Sequence, residues 1–484
     1  MRKTFRLLAL ALAVLMIVPM IFAGCTKDDG KKLDATTPAP AQTTTAPSTQ
    51  GTKMTEPTDD PNKIDLDGYE FRLGTAWHHG LDTGPSNAFV GTALYDELMD
   101  IYAEIESELN CTITSERNPV EPADLITAAV GGVKLGDFIT QKQYVWIPLA
   151  MMGGIRPLES MIDAGLDLYN DDVFNQNFTQ IANMNGNTWA LDIIGKFSGA
   201  QLGHFYAFNK ELTESVGYPA KTLYQAVRDG KWDYAMMLEI AGKITRDSDN
   251  DGNYDIYGIA LDTDGNEVWT NGTGPIVYKD GKWTANLLDP QLMPALDFMY
   301  ALSKPEMTIP VIGDTASRGQ RRTNFYEGRA GFAGLWGGDF SNAQLLEMAG
   351  NEKFGALPIP KGPNADHYIM NYVDVAYFIC QSTNQDWEKS AKVMNTLGTR
   401  LTDWDAYKDA MYEKLNDDEA VEMLFDYAVP GGMLNIAKCS IDMYQLTRKG
   451  FYKAIYELAL TPAAAAEAYQ DKVQAELDNV FQQK

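Results

Sequence analysis

Between Tyr69 and Thr140 the chain switches repeatedly between two hydrophobic periods, and this alternation restricts its fold more than any other feature. YEFRLGTAW (Tyr69–Trp77) repeats apolar residues at every second position, the signature of a strand with one buried face. ALYDELMDIYAEIESELN (Ala93–Asn110) carries its apolar residues at helical spacing, and CTITSE (Cys111–Glu116) returns to the strand period. A helix from about Ala123 and the strand GDFIT (Gly136–Thr140) complete the series. Strand and helix in alternation predict an α/β fold with a mostly parallel sheet covered by helices. Ligands of such sheets bind beyond the carboxyl ends of the strands. That rule singles out Trp77, His78 and His79 after the first strand, and Gln141, Lys142, Gln143 and Tyr144 after GDFIT.

The amino terminus belongs to a different regime. Arg2, Lys3 and Arg6 precede an unbroken apolar run from Leu7 to Ala23, the charged-then-apolar order of an export signal. A run of this length also approaches a membrane span. Its end, FAGC (Phe22–Cys25), resembles the lipobox of bacterial lipoproteins. The resemblance implies a signal peptide over residues 1–24, lipidation of Cys25, and a lipid-anchored protein outside the cytoplasm. Residues 25–63 are rich in Thr, Pro, Ala and Asp and nearly free of large apolar side chains, a composition that cannot offset the entropy of ordering. They read as a disordered tether, with an average reach on the order of 35 Å.

About 420 residues follow, enough for two or three domains with real cores. The chain has 40 basic and 66 acidic residues, a net charge of −26, which argues against nucleic acid or an anionic lipid surface as partner. The membrane association expected is therefore through the lipid anchor alone. Besides Cys25 there are Cys111, Cys380 and Cys439, without CxxC or Cys/His metal spacing. Buried free thiols are the expected state, with one disulfide as the alternative.

Further landmarks follow in order. GDFITQKQYVWIPLAMMGGIRPLESM precedes NGNTWALDI (Asn185–Ile193), FNKELTESVGYP (Phe208–Pro219), KWDYAMMLEIAGKIT (Lys231–Thr245) and YGIALD (Tyr257–Asp262). FYEGRAGFAGLWGGDF (Phe325–Phe340), FGALPIPKGP (Phe354–Pro363) and YVDVAYFICQSTNQDWEKSAKVMNTL (Tyr372–Leu397) come later. This ordered set resembles the carbohydrate-type, maltose-binding-protein-like solute-binding proteins of bacterial ABC importers, and the likeness spans nearly the whole chain after the tether. Phe208 stands where the family has a tyrosine, Lys231 where it has a threonine, and Gly136 where it has a proline.

The resemblance implies a type II periplasmic-binding-protein fold, two α/β lobes joined by a hinge and closing on a ligand between them. It puts lobe 1 at 64–192 plus 358–425 and lobe 2 at 193–357 plus 426–484. Chain crossings are expected near Leu191–Lys196, near Leu357–Gly362 and at 410–430. Trp336, in GLWGGD, matches a cleft tryptophan of the family, able to cover a pyranose face; a core Trp beside a glycine turn is the plainer alternative. Glu267 and Trp269 follow YGIAL, where the family also places ligand contacts, and Tyr444 matches an aromatic position loosely. Asp374, an acid in an apolar strand, reads as a cleft ligand or a hinge residue. Trp189, Trp232, Trp283, Met236 and Met237 are assigned to packing.

DSDNDGNYDIYG (Asp247–Gly258) has the oxygen spacing of a calcium loop: Asp247, Asp249, Asp251, Asn253 and Asp255 at alternate positions, with Gly252 at the turn. Gly258 stands where such a loop needs a bidentate Glu. A structural calcium ion and an acidic turn made of local Asx-type hydrogen bonds are the two readings. No other cofactor is expected.

The function implied is non-catalytic: a monomeric receptor binds a small solute, a sugar or oligosaccharide, and is read by the transmembrane subunits of an ABC permease. Alternatives are the same fold binding a polyamine or peptide, a sensing role, and a surface glycoside-cleaving enzyme. The last has weak support, since there is no GxSxG, HExxH or P-loop, and the four histidines have no metal or triad spacing.

Overall fold

The structure, a computed structural model, describes residues 64–75, 80, 81, 83, 89–117, 122–198, 202–308, 315–372 and 377–482. Cys25, Trp77, His78, His79 and Asp374 lie outside the described residues, as do the signal segment and the tether. Among the described residues no helix is long and apolar enough to cross a membrane.

The first sheet is built from β1 (Tyr69–Thr75), β2 (Cys111–Arg117), β3 (Phe138–Gln141) and β13 (Tyr377–Cys380), in the order β13-β3-β1-β2. β1 runs parallel to both β2 and β3, and β13 joins β3 antiparallel. The β1–β2 crossover is the helix Ala93–Leu109, which starts where the Thr92 hydroxyl accepts the Tyr95 N–H and stops at Asn110 in the left-handed region, φ 48°. Its buried Leu98, Tyr102 and Ile105 pack with Phe71, Leu73 and Phe138, and with Met394 and Leu397 of the helix Trp387–Leu401. One buried acid ties this layer together: Asp137 accepts from the Tyr69 hydroxyl (2.5 Å), the Arg72 N–H (2.7 Å), Lys134 Nζ (2.7 Å) and the Ser390 hydroxyl (3.0 Å).

Two short hairpins, β4–β5 (Asn183–Met184, Asn187–Thr188) and β8–β9 (Ile276–Lys279, Lys282–Ala285), decorate the fold. The second sheet contains β6 (His204–Asn209), β7 (Tyr257–Ala260), β10 (Ala330–Trp336) and β11 (Phe354–Leu357), in the order β11-β6-β10-β7. β6 is antiparallel to β10 and β11, whereas β7 lies parallel to β10. Every residue of β6 is buried, which is why HFYAFN reads as an apolar run rather than an alternation. Asp233 caps the helix Tyr234–Ile244 through Met236 N–H, and that helix buries Met237, Ile240 and Ala241 against β7 and β10.

The chain passes between the sheets three times. The first passage follows Leu191, whose backbone pairs with Phe378 of β13, and ends at β6; it begins where expected and runs past Lys196 to His204. The second lies further along than expected: residues 358–362 stay with the second sheet, where Pro358 accepts the Trp232 indole N–H and Gly362 bonds Thr270. The passage comes at β12 (Met370–Asn371), which pairs parallel with β14 (Gly432–Met433). The third falls at residues 401–404 rather than 410–430. The helix Trp404–Leu415 already packs on the helix Ala343–Gly350 of the second half, and Asp418–Glu422 packs on β11. Residues 404–425 thus belong with lobe 2.

Phe138 faces the smaller core cluster, whereas its neighbour Ile139 faces the larger one, as strand alternation requires. The larger cluster contains the interior of the second sheet and continues through Leu202, Ile194 and Trp189 to Trp146 and Ile147 of the first half. The lobes therefore share apolar contact at the hinge. Cys111, Cys380 and Cys439 are buried free thiols, in line with the expectation.

Candidate functional site

The site grows from the carboxyl end of β3. There the chain turns into the helix Gln143–Met151, which presents Gln143 and Tyr144 toward the second half of the molecule. Gln143 is fully buried and its amide donates to the Asn435 carbonyl, a link between the two halves. Tyr144 stacks on Tyr444, with ring centroids 6.1 Å apart and planes 13° from parallel. Tyr444 sits on the helix Ile441–Leu446, which begins where the Ser440 hydroxyl accepts the Met443 N–H. The helix runs into a π-helical turn, Thr447–Tyr452, of the sort that recurs at functional sites.

Three cations flank this tyrosine pair. Lys142 Nζ lies 5.5 Å from the Tyr144 ring centroid, Lys438 Nζ 5.7 Å from that of Tyr444, and the Arg448 guanidinium carbon 5.5 Å from the same ring. At that range the ring faces attract the cations and hold them in place. Arg448 Nε also forms an ion pair with Asp264 Oδ1 at 2.8 Å. Asp264 follows β7, two residues beyond Asp262, and both are nearly buried. Gly265 closes this turn with φ 73°, and a Cβ there would come within 2.5 Å of the Tyr452 ring.

Trp336 ends β10, half-buried, with its ring over Gly338, where a Cβ would come within 2.3 Å. Its N–H donates to Asp339, whose other oxygen pairs with Arg322 at 2.6 Å, and Arg322 reaches on to Asp262 at 3.3 Å. Asp262, Asp264 and Asp339, paired with Arg322 and Arg448, thus form a network of paired charges around the carboxyl ends of β7 and β10. Such groups are held by their partners in fixed directions, which suits recognition of a ligand with many hydroxyls.

Other expected contacts are placed elsewhere. Gln141 is a buried β3 residue, in register with Tyr377 of β13. Glu267 sits in the interior of the second lobe, where it accepts from the hydroxyls of Tyr206 (2.6 Å) and Tyr456 (2.8 Å). Burial raises its pKa to about 7 against the pull of those two hydrogen bonds. The site expectation for Glu267 fails on this point: its carboxylate is enclosed, with both oxygens engaged. Trp269 is likewise buried, and packs where a Cβ on Gly274 would meet its ring at 2.1 Å.

The acidic loop folds largely on itself. Asp247 accepts from the N–H groups of Asn250, Asp251 and Gly252, and Asp255 accepts from Ser248. Asp247, Asp249 and Asp255 bring oxygens within 4.8 Å of one another; Asp251 lies outside that group, its Oδ1 taken by Asn253. Gly258 belongs to β7, and a side chain there would run into Ala241 at 2.4 Å, which explains why the twelfth position carries no ligand. These are Asx-type hydrogen bonds, and the three clustered carboxylates are also spaced to hold a cation.

Sequence reasoning missed Arg322, Arg448, Lys438, Asp262, Asp264 and Asp339. The aspartates were within its reach, since Asp262 and Asp264 follow the strand YGIAL and Asp339 the segment GLWGG. Arg448 stands four residues after Tyr444 on the same face of a helix.

The sequence matches no family model and no curated protein sequence. Solved structures do match. A cyclic α-maltosyl-1,6-maltose binding protein from Arthrobacter globiformis aligns over 85% of this chain and 100% of its own, with a TM-score of 0.58 and 15% identity. A maltose/maltodextrin-binding domain from Bdellovibrio bacteriovorus bound to maltotriose covers 84% and 99%, with a TM-score of 0.54 and 16% identity. UgpB from Mycobacterium tuberculosis, in complex with glycerophosphocholine, covers 85% and 98%, with a TM-score of 0.55 and 15% identity. Identities this low establish likeness of fold, and the chain has the two-lobe α/β fold of these binding proteins.

Proposed function

We propose that the chain is the substrate-binding component of an importer, capturing a sugar or oligosaccharide between its lobes and presenting it to membrane-embedded permease subunits. The observation that carries this reading is the tyrosine pair: Tyr144 after β3 and Tyr444 on the carboxyl-terminal helix bring flat apolar faces from two halves to one place. A rim of paired charges stands beside it, with Arg448 over the Tyr444 ring and paired with Asp264. A sugar ring has apolar faces and a polar edge, and this arrangement supplies both kinds of partner.

Binding proceeds without covalent chemistry. A ligand touching both lobes favours the closed form, and moving a population from mostly open to mostly closed takes about a 10⁴-fold preference, roughly 5.5 kcal/mol. Anchoring through Cys25 and the tether of residues 25–63 belongs to the same proposal, as it would keep the receptor beside its permease. Partition of the full chain into detergent, lost on Cys25→Ala, tests the anchor.

The ligand class is tested by titrating the full chain with mono- and oligosaccharides, polyamines, peptides and glycerophosphodiesters, read by tryptophan fluorescence and thermal shift. Stabilisation by a carbohydrate is the expected result. Stabilisation by one of the other classes alone would overturn the sugar assignment while leaving the closing mechanism intact. Release of reducing ends from glycans would instead show an enzyme.

A further inference from the structure

The three passages between the sheets converge on one buried carboxyl group. Asp192 opens the first passage and is 1% exposed. Its Oδ2 accepts from the Asn175 amide at 2.8 Å, while Oδ1 is buried without a hydrogen-bond donor among the described residues. Tyr372 stands at the second passage, next to β12, with its N–H on Met433 of β14 and its hydroxyl also buried without a partner. Tyr407 lies in the first turn of the helix that follows the third passage. The Asp192 charge reaches both phenols and raises their pKa, which places the two hydroxyls near the carboxyl group. Besides burial, the groups acting on it are the Asn175 amide and the Ile193 N–H, with no lysine, arginine or histidine among them.

A carboxylate in that setting is poorly solvated, because among the described residues one oxygen lacks a donor and no cation acts on it. Burial accordingly raises the Asp192 pKa to about 7. The hinge is also where the surroundings change when lobes move, since the three passages must rotate against one another.

We infer that Asp192 is a proton-sensitive pin of the hinge, neutral while the lobes are in contact and ionised when they part and water reaches it. This rests on the two-lobe reading above and goes beyond it, because it couples closure to proton uptake whatever the ligand. The sign follows from linkage. The form that binds the extra proton is favoured as pH falls, so lobe contact gains on acidification and fades as pH rises toward 7. Below that pH, while the parted form is ionised, the ratio of the two forms changes by about tenfold per pH unit; above it the ratio levels off.

The test uses the full chain in detergent with dyes on Val130→Cys and Glu214→Cys, one exposed position in each lobe, and reads energy transfer from pH 5 to 8 without ligand. The expected result is a pH-dependent change in transfer that is lost in Asp192→Asn. Asn175→Ala, which removes the amide that favours the ionised form, moves the midpoint upward. An unchanged profile in a folded Asp192→Asn protein, or an unmoved midpoint in Asn175→Ala, overturns the inference. So does a flat wild-type profile. A sugar that changes transfer while pH does not would defeat the pin alone. Transfer that responds to neither pH nor any solute would defeat the closing mechanism as well.

Discussion

The aromatic residues of the second lobe interior and those at the meeting of the lobes are the same types in opposite circumstances. Trp232 is fully buried, stacks on Phe332 at 5.8 Å, and gives its indole N–H to Pro358. Tyr206 and Tyr456 give their hydroxyls to Glu267. Tyr144 and Tyr444 are only half-buried and are flanked by cations. These three interior aromatics have their polar atoms satisfied within their own lobe, so their contribution goes to stability. An aromatic whose neighbours come from both halves can change partners when a ligand enters, so its contribution goes to binding.

The largest effect should come from the interior. Trp232→Ala removes a fully buried ring and is expected to cost about 3–5 kcal/mol, seen as a marked fall in melting temperature with or without ligand. A fall confined to the liganded protein would place Trp232 in the site and erase the contrast.

Glu267 gives the next effect, and it depends on pH. Its folded-state pKa is raised to about 7, above its unfolded value, so the folded protein holds a proton that the unfolded chain releases. Stability from this group therefore falls as pH rises from about 4.5 to 7, by up to about 1.4 kcal/mol per pH unit, and levels off above. Glu267→Gln removes the dependence, so its stability relative to wild type should grow across that window in denaturant titrations. Parallel curves would mean that the carboxyl is hydrated rather than enclosed.

At the lobe junction, Tyr144→Ala and Tyr444→Ala should each weaken binding of the responding sugar roughly thirtyfold, about 2 kcal/mol, with the ligand-free melting temperature little changed. Calorimetric titration would check this. Equal affinity with lowered stability would move the pair into the structural class.

The smallest effect is a control. Tyr278, 53% exposed beside Trp283 on the β8–β9 hairpin, is aromatic but lies outside both settings. Tyr278→Ala should change stability by less than about 0.5 kcal/mol and leave binding unaltered.

Much of the first lobe was legible because its signals are local. Thr92 and Asn110 bracket a helix whose apolar spacing is plain, and β1, β2 and β3 fall within a residue or two of the expected strands. The third passage was not legible. Nothing within residues 401–404 marks it; it is fixed by the helix Trp404–Leu415 packing against Ala343–Gly350, some sixty residues earlier. The strand-end rule pointed to the region around Gln143 and Tyr144, where the two halves meet, but it could not separate Asp264 from Glu267. Both follow the same strand and both are buried; what divides them is their partners, Arg448 for Asp264 and the Tyr206 and Tyr456 hydroxyls for Glu267.

By itself, the order of residues determined the α/β class, the strand and helix segments with their caps, and the acidic turn, because each depends on torsions and hydrogen bonds spanning a few neighbours. Tertiary structure alone decided which acids are buried, which tyrosines meet across the lobes, and that Asp192, Tyr372 and Tyr407 stand together at the hinge. Those outcomes depend on burial and on electrostatic interactions between groups far apart in the chain, and no local pattern carries them.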